Sequence, residues 1–223
     1  MLNCLAMSRP RFISFEGIDG CGKTTQLNLM AERLRARGVE FIATREPGST
    51  PIGQDIRKIL LDSKTTGLTS IGEVLLYYAS RIQNVEQVIK PALEAGKLVL
   101  CDRFNDASWA YQGFGRQLGV EFLRILDDLV LDGFRPDHTL IIDIDVETSL
   151  NRAQRRNTAQ AYDENRFETE AREFFERVRE GYGWLQRREP FRFFQINGNR
   201  PVEAVHADIA ALFDEWVKEA ISA

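Results

Sequence analysis

Apolar residues in this chain follow two alternating rhythms. Short runs rich in apolar, β-branched and aromatic residues occur at 11–16 (RFISFE), 40–44 (EFIAT), 98–101 (LVLC), 138–143 (HTLIID) and 191–196 (FRFFQI). Runs of that length and content predict strands buried on both faces. Elsewhere apolar positions recur at three- and four-residue steps, predicting helices over 24–37, 52–61, 70–95, 122–131, 147–156, 166–188 and 202–220. In 166–188 the residues Phe167, Ala171, Phe174, Phe175, Val178, Tyr182 and Leu185 form one apolar stripe, the mark of a helix packed on a core. Strand–helix alternation through the chain predicts an α/β fold with a parallel five-stranded sheet flanked by helices. No linker, low-complexity tract or internal repeat interrupts it.

On such folds ligands collect at the carboxyl ends of the strands. Here those ends carry GIDGCGKTT, REPGST, DRFNDAS and a polar, arginine-bearing segment. The run Gly17-Ile18-Asp19-Gly20-Cys21-Gly22-Lys23-Thr24 fits G-x-x-x-x-G-K-[ST], between a predicted strand and a predicted helix. A chance match in a chain of this length has odds on the order of one percent. Glycines let the backbone N–H groups wrap inward and the helix N-terminus adds partial positive charge, so the segment predicts a phosphate cradle for a nucleoside triphosphate. Lys23 would reach the β- and γ-phosphates and the Thr24 hydroxyl would ligate Mg²⁺. Cys21 reads as a small filler whose backbone matters. The N-K-x-D or T-K-x-D run usual in guanine-specific GTPases does not occur.

Composition changes this picture little but narrows it. The 223 residues, 43% hydrophobic and 28% charged, suit one globular domain over 11–223, with residues 1–10 (MLNCLAMSRP) as a flexible leader too short for a secretory signal. With 29 Lys and Arg against 33 Asp and Glu, the net charge of −4 argues against nucleic acid or an anionic membrane as partner. No run approaches the roughly 20 apolar residues of a membrane span. Cys4, Cys21 and Cys101 are odd in number and widely spaced, which excludes a disulfide framework and fits a cytoplasmic, reducing location.

Taken together, FEGIDGCGKTT, TREPGST, DRF and AYQGFGR have the order and spacing of thymidylate (dTMP) kinases, and the chain resembles that family from about Arg11 to the last helix. The resemblance implies a P-loop NTPase fold, ATP-dependent phosphorylation of dTMP to dTDP with Mg²⁺, and a homodimer. Rival readings are another nucleoside-monophosphate or deoxynucleoside kinase on the same fold, or a nucleotide-dependent binding switch. A switch needs no second nucleotide pocket, and REPG with AYQG argues for one.

The resemblance also implies residue roles, each with a plainer alternative. Arg45, Arg57 and Arg103 would surround the acceptor phosphate, although an arginine at a strand end is often only solvated. Asp102 would hold Mg²⁺ directly or through water, or else cap the next helix. Asp19 would lie near the acceptor sugar and the metal. Tyr77 would stack on thymine where the family usually has Phe, with Arg81 on the same helix face at i+4. Ser108 and Gln112 match positions that hydrogen-bond the pyrimidine edge. Since Gly20 stands where some members carry an arginine, a lid at about 152–166 would supply the compensating charge. Arg152, Arg155, Arg156 and Arg166 are its candidates, Arg152 and Arg156 favoured. Departures are Ser49 for a common second glycine, Ser80, Asn84, and Phe114 inside a usually all-glycine run, where a bulky side chain would strain a positive-φ turn.

Overall fold

The computed structural model describes residues 11–157 and 166–218. The expected leader and the middle of the expected lid lie outside them. Five parallel strands run in the order β2-β3-β1-β4-β5. They are β1 (Phe12–Glu16), β2 (Phe41–Arg45), β3 (Leu98–Asp102), β4 (His138–Asp143) and β5 (Phe193–Asn197). All five residues of β1 are buried, which is why RFISFE reads as nearly continuous apolar sequence. Its polar members are satisfied inside: Ser14 Oγ lies 2.9 Å from Thr139 Oγ1, and Glu16 accepts from the Phe104 N–H at 2.7 Å.

The strands sit within a residue or two of their expected limits, yet two small shifts matter. Arg45 and Asp102 prove to be the last residues of β2 and β3 and are register partners. A parallel register therefore delivers a guanidinium and a carboxylate side by side at one sheet edge.

Helices follow the strands. The first, α1 (Lys23–Ala36), begins after Gly22, whose φ of 99° is accessible chiefly to glycine. In α2 (Pro51–Leu61) Thr50 Oγ1 caps the Gly53 N–H at 3.0 Å, with Pro51 at the first turn. Thr69 caps α3 (Ser70–Asn84) in the same way. The single helix expected over 70–95 is instead α3, a π-helical segment (Val85–Ile89) and α4 (Lys90–Glu94) in direct succession. Pro91 has no N–H to give an α-helical ladder, and the wider π turn precedes it.

The helical path after β3 was not expected: α5 (Asn105–Ser108) runs directly into a π-helix (Trp109–Gly115). Nearly every residue in it is buried, so no polar face exists to give it a 3.6-residue rhythm. Phe114 lies within this π-helix and not at a positive-φ turn, so the expected strain does not arise. Then come α6 (Val120–Leu131) and α7 (Val146–Asn157). The helix expected over 166–188 is broken into a 3₁₀ turn (Arg166–Thr169) and α8 (Arg172–Arg188), with Ala171 extended (φ −67°, ψ 155°) and off the stripe. The last helix, α9 (Val202–Lys218), packs on α1 and β5.

The contact that seats the π-helix is with α8, and it depends on small residues. A Cβ on Gly181 would come 2.9 Å from Phe114 Cδ2 and 3.0 Å from the Ala110 Cα. Gly181→Ala should therefore destabilise the protein by about 1–2 kcal/mol in urea unfolding, even though alanine is the better helix former. An unchanged midpoint would show that the two helices are not closely packed there.

Candidate functional site

The phosphate loop leaves β1 and folds under its own constraints. Gly17 has φ +135°, and a Cβ there would meet Ile142 O at 2.4 Å and Cys21 Sγ at 2.8 Å. No larger residue fits this approach to β4. Ile18 and Cys21 are buried beneath the loop as apolar filler. Lys23 turns its ammonium inward, donating to Gly17 O and Ile18 O at 3.1 Å each. Ser149 on α7 donates to Asp19 O at 2.5 Å and so braces the loop from outside. That helix is itself capped by Asp145, which accepts from the Thr148 N–H at 2.8 Å.

A cavity of about 500 Å³ opens above the strand ends. At its phosphate-loop end it is lined by Asp19, Gly20, Gly22, Lys23 and Thr24; Arg45, Arg57, Tyr77, Arg81, Ser108 and Gln112 line the other end. Asp102, Arg103 and Arg152 also line it. Gly17, Ile18 and Cys21 support the loop from below and are not on this surface. Arg156 lies in the last turn of the same helix as Arg152, but its side chain lies outside the described residues, as does that of Arg155.

Arg103 joins the two ends. Its backbone is held at φ +69°, a left-handed conformation uncommon for a side-chain-bearing residue. One terminal nitrogen donates to Gly17 O at 3.0 Å and Tyr182 Oη at 3.3 Å. The other donates to Asp19 Oδ1 at 2.8 Å and Tyr111 Oη at 3.0 Å. Burial alone would lower its pKa, but Tyr111, Asp19, Tyr182 and Glu16 more than offset that, and the group stays firmly cationic. Tyr111 and Tyr182 were not foreseen as site residues. Only the AYQG motif hinted at the first, and Tyr182 looked like one more position on an apolar stripe.

Thr24 Oγ1 donates to Asp102 Oδ2 at 2.5 Å. These two hard oxygen donors fit Mg²⁺, which takes few protein ligands and keeps water and phosphate oxygens in its shell. Consistently, among the described residues no group of three or more His, Cys, Asp or Glu side chains forms a closed metal cage.

At the end of the cavity away from the phosphate loop, Arg81 is buried (1% exposed) and multiply bound. Its Nε donates to Glu46 Oε2 at 2.6 Å, and one terminal nitrogen donates to Phe104 O at 3.1 Å and Ser108 Oγ at 3.0 Å. The other terminal nitrogen, Nη1, is buried without a partner. Burial raises the Glu46 carboxyl pKa, against the pull of Arg81 and Asn84. Gln112 donates its amide to Glu73 at 2.8 Å. Tyr77 is half-buried, and burial together with Glu73 pushes its hydroxyl pKa up. Arg57 donates to Pro47 O at 2.9 Å, while Arg45 is exposed.

The family departures are mostly accommodated. Ser49 accepts from the Arg45 N–H at 2.9 Å and donates to Arg45 O at 2.7 Å. Asn84 donates to Glu46 Oε1 at 3.1 Å and accepts from Thr44 Oγ1 at 2.9 Å. Phe114 packs against Trp184, ring centroids 5.7 Å apart. Ser80 Oγ is buried without a partner, and nothing in the structure explains the serine there.

A glycine-rich loop on the first strand, a hydroxyl–carboxylate pair beside it and a parallel sheet ordered 2-3-1-4-5 define a P-loop NTPase fold. Comparison with known proteins narrows the class. The thymidylate kinase family profile matches residues 15–209. A thymidylate kinase of Geotalea uraniireducens is 48% identical over 201 residues, covering 90% of this chain and 94% of its own. One of Desulfovibrio desulfuricans is 46% identical over 209 residues, covering 93% and 96%. The crystal structure of thymidylate kinase from Ehrlichia chaffeensis superposes with a TM-score of 0.74 at 34% identity, covering 92% of this chain and all of that one. The chain belongs to the thymidylate kinase family.

One group beneath the cavity was not expected to titrate near neutrality. Burial pushes the Glu16 carboxyl up from 4.5 to about 7, with Arg103 opposing and Asp106 adding to the shift. The folded protein holds this proton more tightly than the unfolded chain, so its stabilising contribution is complete below about pH 4.5 and is lost as pH rises through about 7. Wild type should therefore lose on the order of 2–3 kcal/mol relative to Glu16→Gln between about pH 4.5 and 8. Urea unfolding of both proteins across that range checks it; a pH-independent difference would place the Glu16 pKa near its ordinary value.

Proposed function

We propose that the chain transfers the γ-phosphoryl group of ATP to dTMP, giving ADP and dTDP. The single observation carrying this reading is that one cavity is lined by a glycine-rich loop at one end and by Tyr77, Arg81, Ser108 and Gln112 at the other, with Arg103 between them.

The chemistry demands alignment and charge compensation more than covalent help. The acceptor phosphate is itself the nucleophile, so no general base is assigned. Backbone N–H groups of the loop residues that line the cavity, Asp19, Gly20, Gly22, Lys23 and Thr24, receive the donor phosphates, and Lys23 exchanges its loop carbonyls for their oxygens. Thr24 and Asp102 would hold Mg²⁺, which when bound supplies positive charge to the donor phosphates. Arg45, Arg57 and Arg103 orient the acceptor phosphate, and Asp19 places Arg103 while lying beside the acceptor sugar. Tyr77 covers the face of the base. Arg81 offers its unpartnered nitrogen to a keto oxygen, and Ser108 and Gln112 complete the edge.

The lid at about 152–166 closes over the transferring group, with Arg152 and Arg156 supplying charge. Arg166 is otherwise engaged: it bonds Glu73 at 2.7 Å and also donates to Leu60 O. We read residues 11–223 as one domain because the described residues share one hydrophobic core. Among the described residues no helix is long and apolar enough to cross a membrane. Cys21 and Cys101 are free thiols, which supports a cytoplasmic enzyme. Its partners are the two nucleotides, with no nucleic acid or membrane.

The reading includes a homodimer. Ile71 and Leu75 on α3, and Ile125 and Leu129 on α6, are exposed at i, i+4 spacing, and these two helices are in contact. Ile52 and Ile59 on α2, a helix that packs against α3, are exposed as well. Leu129, 80% exposed, has the most to gain from a partner among these six side chains. Leu129→Asp should convert the dimer to a monomer in sedimentation velocity; a monomeric wild type would overturn the dimer.

Activity is tested by coupled ADP release with ATP and Mg²⁺ across a panel of nucleoside monophosphates. dTMP should be preferred, and Lys23→Ala should lower turnover about 10²-fold or more, the scale on which loss of a main transition-state contact is felt. ADP release unstimulated by dTMP would sink the assignment.

A further inference from the structure

We infer that Glu73 is the positioning residue that makes this site selective for a base carrying a ring N–H. The inference rests on the reading that Gln112 meets the pyrimidine edge. Glu73 lies in the first turn of α3 and is 1% exposed. Its carboxylate has four contacts: the Gln112 amide nitrogen at 2.8 Å, Arg116 Nε at 3.2 Å and Nη2 at 3.1 Å, and Arg166 Nη2 at 2.7 Å.

An ionised carboxylate only accepts hydrogen bonds, so it discriminates between the two ends of a carboxamide. Glu73 holds the NH₂ end of Gln112. The carbonyl end is then the one left for a ligand, on a side chain that lines the cavity. Without that anchor the two ends of a glutamine are interchangeable by rotation about one bond, and the site would read an acceptor and a donor equally. Thymine presents a donor at ring position 3, whereas cytosine presents an acceptor there. Two arginines also bond this carboxylate, and each has other work: Arg116 also bonds Glu170 at 2.6 Å, and Arg166 also donates to Leu60 O. The carboxylate is therefore the shared element that connects Gln112 to the segment entering α8.

The test compares kcat/KM for dTMP and dCMP, with ATP and Mg²⁺, in wild type, Glu73→Gln, Gln112→Ala and the double variant. Glutamine at position 73 can offer either a donor or an acceptor, so Glu73→Gln should lower the dTMP-to-dCMP ratio by about tenfold or more, chiefly through KM for dTMP. The double variant should be no less selective than Gln112→Ala alone, because the two residues act in series. A ratio unchanged by Glu73→Gln, alongside a ratio relaxed by Gln112→Ala, overturns the positioning role and leaves the site reading intact. A ratio unchanged by Gln112→Ala removes Gln112 from the base site itself. Should Glu73→Gln fail to fold, the wild type still decides. The Gln112 side-chain amide resonances, assigned by their loss in Gln112→Ala, should include one proton slow to exchange with solvent before dTMP is added. Rapid exchange of both protons overturns the inference.

Discussion

Four oxygens converge on the Arg103 guanidinium, and much of the site depends on that meeting. They come from the phosphate loop (Gly17 and Asp19), the π-helix (Tyr111) and α8 (Tyr182). None of these elements is adjacent in sequence. A planar cation with donors in a fixed fork specifies their relative positions more tightly than apolar packing does. The left-handed backbone at Arg103 aims the side chain back across the end of β1, and such a conformation persists only where its surroundings over-determine it. Beneath it, Glu16 takes the Tyr182 hydroxyl at 2.7 Å and the Phe104 N–H, so the support extends into the sheet.

The acceptor end follows the same logic with a different cation. Arg81 is as buried as most core phenylalanines, yet its charge is met by Glu46 and one of its two terminal nitrogens is engaged by Phe104 O and Ser108. A buried ion pair adds little net stability, since desolvation consumes most of the attraction. What it adds here is placement: Glu46 is held in turn by Asn84, and Asn84 by Thr44, so the strand end, α3 and the base pocket share one polar chain. One guanidinium nitrogen left over in such a chain is an unfilled hydrogen-bond demand beside the cavity. The exposed partner of this arrangement is Arg45, whose backbone is tied by the Ser49 hydroxyl while its side chain stays available.

Motif residues at strand ends were the most legible part of the site. Gly17 to Thr24, Asp102 and Arg103 lie where a strand must stop and a ligand must begin, and a parallel sheet brings every such end to one side. Tyr77 and Arg81 were legible because i, i+4 spacing survives any packing of the helix. By contrast Glu16 and Glu73 looked like ordinary acidic residues. Their importance comes from burial, and burial depends on segments distant in the chain. The helical course of 105–115 was hidden for a related reason. Periodicity reports a contrast between a wet and a dry face, and a segment buried all round has none. The stripe over 166–188 marked the buried residues of α8 well, but its rhythm ran across a break at Glu170 and Ala171 that periodicity alone does not register.

Local chemistry along the chain determined the class of fold, the phosphate cradle and which residue types stand at each strand end, because each depends on neighbours within a few positions. Tertiary structure alone decided what those residues are bonded to. It pairs Arg103 with Asp19, Arg81 with Glu46, and Gln112 with Glu73 across separations of 84, 35 and 39 residues. The direction in which a guanidinium or an amide presents its donors is set by partners that only folding brings near.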